Sequence, residues 1–168
     1  MVKLVQSASL IAATVAMGLM AGLFAAFAYA VMPGLGRTDD RTFVGAMQKI
    51  NAAILNGWFA VGFAGALVFT VLAAVLHSRS DARAALPWIV AALVLYGLVL
   101  AVTFIVNVPL NNALEAAGDP DRTADLAAVR EHFEVTWVRW NIVRAVVNTA
   151  ALACLAWALV LHGRIPGS

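Results

Sequence analysis

Charge is what this chain has least of. Asp, Glu, Lys and Arg make up 12% of its 168 residues, about half the share of a soluble domain. They are missing altogether from four stretches, between Lys3 and Arg37, Lys49 and Arg79, Arg83 and Glu115, and Arg144 and Arg164. Cysteine is almost as rare. Cys154 is the only one, so no internal disulfide forms, and it reads as a small apolar core residue. The three histidines, His77, His132 and His162, fall at opposite ends of the expected topology and share no ligand spacing, so no metal site is expected. The apolar runs offer no histidine to a haem, and no phosphate loop or Ser/His/Asp set is present. A net charge of +2 with scattered basic residues excludes a nucleic-acid partner.

What fills the charge-free stretches is apolar. Hydrophobic residues are 63% of the chain. Each stretch holds a run long enough to cross about 30 Å of hydrocarbon, which takes about 20 residues. The runs are roughly Ala8–Met32, Trp58–Leu76, Leu86–Val106 and Ile142–Leu161. The expectation is an all-α, four-transmembrane-helix bundle in a single domain, residues 1–168. The first run is too long for a signal-peptide core and ends in Met32-Pro33, so it reads as a retained helix. Pro166-Gly167-Ser168 reads as a disordered end.

Four spans put both termini and the Leu76–Leu86 loop on one side. That side carries Lys3, Arg79, Arg83 and Arg164 against Asp81. The long connectors carry more basic residues but at lower density, and eight of the nine acids. By density of Lys and Arg the termini are expected in the cytoplasm, of a bacterial inner membrane.

Both connectors have helical signals. Asp39 or Asp40 is placed to cap a helix in which Phe43, Met47, Ile50 and Ile54 recur at helical spacing. Asp119-Pro120-Asp121 marks a turn. Beyond it, Asp125 or Thr123 caps a helix with Leu126, Val129, Phe133, Trp137 and Trp140 as its apolar stripe and Arg130 and Glu134 as an i,i+4 pair on the wet face. The two halves also look alike: span, proline (Pro33, Pro109), acidic stretch, amphipathic helix, span. Phe43-x-x-x-Met47-x-Lys49-x-Asn51 parallels Phe133-x-x-x-Trp137-x-Arg139-x-Asn141. A parallel hairpin repeat would make Asn51 and Asn141 equivalent. The alternative is that such helices commonly carry a basic residue and an amide at the interface.

Lipid makes polar residues informative. Glu134, Trp137, Asn141, Arg144 and Asn148 follow 3–4 spacing and share a helical face, which is expected to point into the bundle. Arg144 in a bilayer centre costs at least about 2.5–3.5 kcal/mol. It reads either as an interfacial anchor or as an inward cation facing a ligand. Thr103, Asn107 and Asn111 are four apart at the end of the third run, where Pro109 is expected to break the helix. Gln48 and Asn56 add amides and Tyr29 a hydroxyl. Gly18-x-x-x-Gly22 permits close helix packing.

These residues resemble a known family. GLFAAFAYAVMPGL, the stretch Asp39–Phe59, NVPLNNAL at Asn107–Leu114, and Phe133–Arg144 with its WVRWNIVR are similar to the anthrone-oxygenase-like family of small four-helix membrane proteins. Its fungal members oxidise polyketide anthrones to anthraquinones. The resemblance implies a cofactor-independent oxygenase, using O₂ on a hydrophobic, anthrone-like aromatic. Such a site needs a base, donors for a phenolate-like oxyanion, and an aromatic slot. Arg144, Asn141, Asn107 and Asn111 are then candidate donors. Trp137, Trp140, Trp58 and Tyr29 are candidate walls, with Asn51 and Asn56 at the substrate. His132 or Glu134 is the candidate base, His132 favoured by its ordinary pKa. The alternatives are a non-catalytic protein that binds a lipid or quinone or supports a membrane complex, and a transporter, which would need a homo-oligomer to build a pathway.

Overall fold

The computed structural model describes residues 2–78 and 81–164. The tail at Pro166-Gly167-Ser168 and Arg79 lie outside the described residues. The chain is all helical, with no strand among the described residues. Four helices are long and apolar enough to span a membrane: α1 (Val2–Leu35), α3 (Gly57–Ser78), α4 (Arg83–Ala116) and α5 (Leu126–Gly163). A fifth, α2 (Asp40–Ile54), lies in the first connector. The caps are aspartates. Asp39 accepts the Thr42 amide at 3.0 Å and Asp125 accepts the Ala128 amide at 3.0 Å. The Thr42 amide and hydroxyl hold the Asp39 carboxyl below its ordinary range.

The spans overrun their apolar cores. The second connector has no separate helix: its amphipathic segment runs unbroken into the fourth span, making α5 38 residues long. The first connector differs. Leu55-Asn56 interrupts the path, and Asn56 caps α3 by accepting the Phe59 amide at 3.1 Å. Asn56-Gly57 is a turn dipeptide, and the second hairpin has no counterpart.

The prolines do not break their helices. In α1 the turn Phe27–Val31 widens into a π-helix, and in α4 Thr103–Asn107 does the same. The residue before each proline, Met32 or Val108, then bonds five residues back, to the Phe27 or Thr103 carbonyl. Proline lacks an N–H and its ring crowds the carbonyl four residues back. A π-turn makes room for both, so the chain stays helical. The expected break at Pro109 is corrected accordingly, and Pro33 behaves alike.

Two cores result. The apolar half of the bundle is packed largely with small residues, including Ala13, Ala66, Ala73, Ala92, Ala151 and Ala158, around Leu10, Met17, Ile89, Tyr96 and Leu155. Gln6 and Ser9 of α1 and Thr70 of α3 are buried with them and bond to backbone carbonyls. At the end holding the termini, the His77 Nδ1 faces the Ala73 carbonyl at 2.7 Å and its Nε2 faces His162 Nδ1 at 3.2 Å. The other core, at the connector end, is aromatic: Phe27, Phe43, Phe133 and Trp137 with Met32, Met47 and Leu114.

Arg130 closes that second core, and it does not lie on a wet face as expected. Its guanidinium sits 4.5 Å over the Phe43 ring. It donates to Glu134 (2.6 Å), Asp40 (3.0 Å), and the carbonyls of Thr38 (2.9 Å) and Gly36 (3.0 Å). One planar fork thus ties α5 to the α1–α2 corner, a geometry lysine cannot copy. Arg130→Ala is expected to cost about 2–3 kcal/mol, since charge-assisted bonds are lost and a carboxylate is left unpaired. Thermal unfolding followed by circular dichroism in detergent should register a fall of roughly 5–10 °C, and Arg130→Lys should recover less than half of it.

Candidate functional site

A cavity of about 840 Å³ opens at the connector end of the bundle. Its walls come from every helix. α1 gives Leu23, Phe24 and Phe27, the α2–α3 junction Asn51 to Phe59, α4 Thr103 to Glu115, and α5 Trp137, Asn141 and Arg144. Both π-turns border it, so the prolines set which side chains face inward. Most of the wall is apolar and the polar groups are few, as in ligand sites generally.

Arg144 is the centre of the polar part. It is 6% exposed and so lies inside the bundle. No carboxylate lies within ion-pairing distance among the described residues. Its charge is met by π faces instead: Phe24 at 4.5 Å and Trp137 at 5.5 Å, each worth about 0.5–2 kcal/mol. Nη2 donates to Asn141 Oδ1 at 2.9 Å and Nη1 reaches Thr103 Oγ1 at 3.4 Å. Its Nε is buried with no partner.

The amides divide by role. Asn141 and Asn148 donate to the α1 carbonyls of Phe24 (3.0 Å) and Met17 (3.1 Å). Both pairs are seven residues apart, two turns of each helix, so they pin α5 to α1 in register. Asn141 therefore has one N–H on the Phe24 carbonyl and its oxygen on Arg144, and it positions the guanidinium. Asn107 donates to the Trp137 carbonyl at 3.3 Å, which fixes its amide orientation and leaves Oδ1 buried and unpartnered. Beside that donor it presents an unpartnered acceptor. Asn111 accepts the Trp137 indole N–H at 2.7 Å. Asn51 lines the cavity with its Nδ2 buried and unpartnered. Among the buried polar atoms of the cavity wall, Arg144 Nε and Asn51 Nδ2 are donors without a partner and Asn107 Oδ1 is an acceptor without one.

Of the residues singled out in the sequence, the structure brings together Arg144, Asn141, Asn107, Asn111, Trp137, Asn51 and Asn56. It sets four apart. Tyr29 and Trp58 are 73% and 89% exposed and do not line the cavity. Tyr29 lies inside the first π-turn. Trp140 is half-buried and does not line the cavity. His132 borders a separate groove of about 290 Å³ with Leu114 and Phe133. Glu134 is held by Arg130. Neither expected base is on the cavity wall.

The group that sequence reasoning missed is Glu115, which with Arg144 is one of the two ionisable side chains on that wall. It is four residues beyond Asn111, continuing the Thr103–Asn107–Asn111 row by one more turn. That spacing was the available signal.

A family model described as anthrone oxygenase matches residues 55–154, more than half of the chain. The chain belongs to the anthrone oxygenase family. The matched stretch carries Asn107, Asn111, Glu115, Trp137, Asn141 and Arg144, while Phe24, Phe27 and Asn51 lie before it. Comparison with curated proteins and with solved structures finds no match.

An uncompensated cation destabilises the apolar bundle unless it is needed. Arg144→Met is therefore expected to leave thermal stability unchanged or raised, because burying a guanidinium costs at least about 2.5–3.5 kcal/mol and methionine fills similar volume. Asn141→Leu removes the α1–α5 pin and should destabilise by about 2–3 kcal/mol. Unfolding curves of the two variants in one detergent test the opposite signs.

Proposed function

We propose that this protein is a membrane-embedded oxygenase that oxidises an anthrone-like aromatic with O₂, without metal or organic cofactor. The observation that carries the reading is Arg144: a guanidinium buried without a carboxylate, with an uncommitted Nε, in an aromatic-walled chamber. Family membership supports the reaction class. An anthrone's methylene is acidic because its anion spreads onto the ring-ketone oxygen. A buried guanidinium beside that oxygen stabilises the anion far more than water does, since its dipoles and charge are already in place. Asn51 Nδ2 adds a second donor. Asn107 Oδ1 accepts a ring hydroxyl next to the oxyanion and fixes the substrate's orientation.

Glu115 is the base in this scheme, replacing His132 and Glu134. It takes one methylene proton. The resulting carbanion-enolate gives one electron to O₂, and the radical pair combines to a peroxide on the former methylene carbon. Loss of the second carbon-bound hydrogen as a proton, with O–O cleavage, leaves the carbonyl and releases water. One O₂ is consumed, one oxygen atom enters the product and the other leaves as water, so no outside reductant is needed.

Purified protein in nanodiscs should consume O₂ with a reduced hydroxyanthrone and form the anthraquinone in equal amount. Arg144→Met should slow this by about 10²–10³, the cost of losing one oxyanion donor. Glu115→Gln should slow it by about 10²–10⁴, with Glu115→Asp retaining part of the rate. Tight binding of the hydroxyanthrone with no O₂ uptake by the wild type would overturn the catalytic reading and leave a binding protein.

A further inference from the structure

One stretch of the chamber wall, between α3 and α4, is also exposed surface. Ala60 and Ala64 of α3 and Phe104 of α4 line the cavity, yet all three are exposed on the outside of the bundle, Phe104 by 62%. Val108 of α4 joins the same wall. The lining is thus a slot between α3 and α4, with two small residues on one lip and a ring on the other. Phe63 forms its floor, meeting the Phe104 ring edge-on at 6.2 Å and the Tyr96 ring at 6.1 Å. The Tyr96 hydroxyl donates to the Phe63 carbonyl at 2.7 Å and joins the two helices there.

Depth decides what lies outside. Ala64 is seven residues past Gly57, where α3 begins, about 10 Å along the axis. The surface around it is apolar: Val61 and Val68 on α3 and Leu98 and Ile105 on α4 are all exposed. In a bilayer this opening meets hydrocarbon. Arg144, Asn51 and Asn107 carry the polar groups that would recognise a head, while α3 lines the chamber with apolar and small residues alone: Gly57, Phe59, Ala60, Phe63 and Ala64. Phe59 and Phe63 stack at 5.1 Å and extend this apolar path.

We propose that the site takes a membrane-dissolved amphiphile, with its hydroxylated aromatic head against Arg144 and an alkyl chain leaving through the α3–α4 slot into the lipid. This rests on the oxygenase reading for the nature of the head, while the slot itself stands on geometry. A bare head gains only the chamber contacts. A chain that stays in the lipid or the slot keeps its apolar surroundings while the head enters, so a bilayer-dissolved substrate gives up no burial on binding. The chain therefore selects substrates already in the bilayer and orients them head-inward.

Two measurements test this. A hydroxyanthraquinone, a product-type head that needs no turnover, is given a decyl chain ending in a diazirine and photolysed with wild-type protein in nanodiscs. Peptide mapping should place the label on the α3–α4 lips, at Ala60, Ala64 or Phe104, or on residues of those helices just outside them. Label on Asn112 and Glu115, or no label on the protein, overturns the slot. Second, Ala64→Trp plugs the opening. The ratio of kcat/KM for a decyl-substituted over a methyl-substituted hydroxyanthrone should fall at least tenfold, and an unchanged ratio overturns the proposal. Should Ala64→Trp not fold, Ala64→Leu serves, and the wild-type labelling needs neither. Labelling at the slot without any O₂ uptake would sink the oxygenase reading and leave the slot intact as a lipid-side binding site.

Discussion

A single uncompensated guanidinium organises this molecule. Arg144 has no carboxylate partner, so its burial has to be supported by softer means: two aromatic faces, one amide oxygen and a threonine hydroxyl. Those supports come from α1, α4 and α5 at once. Asn141 is the link, because the amide that holds Arg144 also grips the Phe24 carbonyl of α1. The cation's position is therefore inseparable from the packing of α1 on α5. Asn148 repeats the grip two turns deeper at Met17.

The prolines shape the space the cation looks into. Each forces a π-turn, and each π-turn shifts the following residues around the helix. On α4 this sets Thr103 and Asn107 on the cavity side, and on α1 it sets Phe27 there. The two hairpins share this device but differ in chemistry. Counting from the prolines, Asn107 and Asn111 stand where the first hairpin has Val31 and Leu35. The polar half of the site belongs to the second hairpin, and the first supplies mostly aromatic and aliphatic wall. The break at Leu55-Asn56, which α5 lacks, places Asn51 and Asn56 on the chamber wall and starts α3 where the slot opens.

Much of the fold was legible because lipid-crossing helices must be apolar throughout, and no other element buries its backbone so simply. The four spans and both aspartate caps follow from local rules. The inward face of α5 was legible too, since 3–4 spacing of Trp137, Asn141, Arg144 and Asn148 has one geometric meaning. Where reading failed, long-range partners decided. Arg130 looks like half of a surface ion pair along its helix, but the corner of α1 and α2 comes over it and draws it inward. Asn107 reads only as an amide, and the Trp137 carbonyl decides which way it faces. His132 has the right chemistry for a base and the wrong side of its helix. Glu115 has no signal by itself beyond its place in the asparagine row.

The sequence by itself determined which segments are helices, how many cross the apolar layer and which face of the last one turns inward, because periodicity and the absence of charge are properties of neighbouring residues. Only the tertiary structure decided which polar atoms are left without partners, and so what the cavity offers a ligand. A hydrogen bond between helices that are distant along the chain removes a donor or acceptor from one of them, and that subtraction is made by the packing alone.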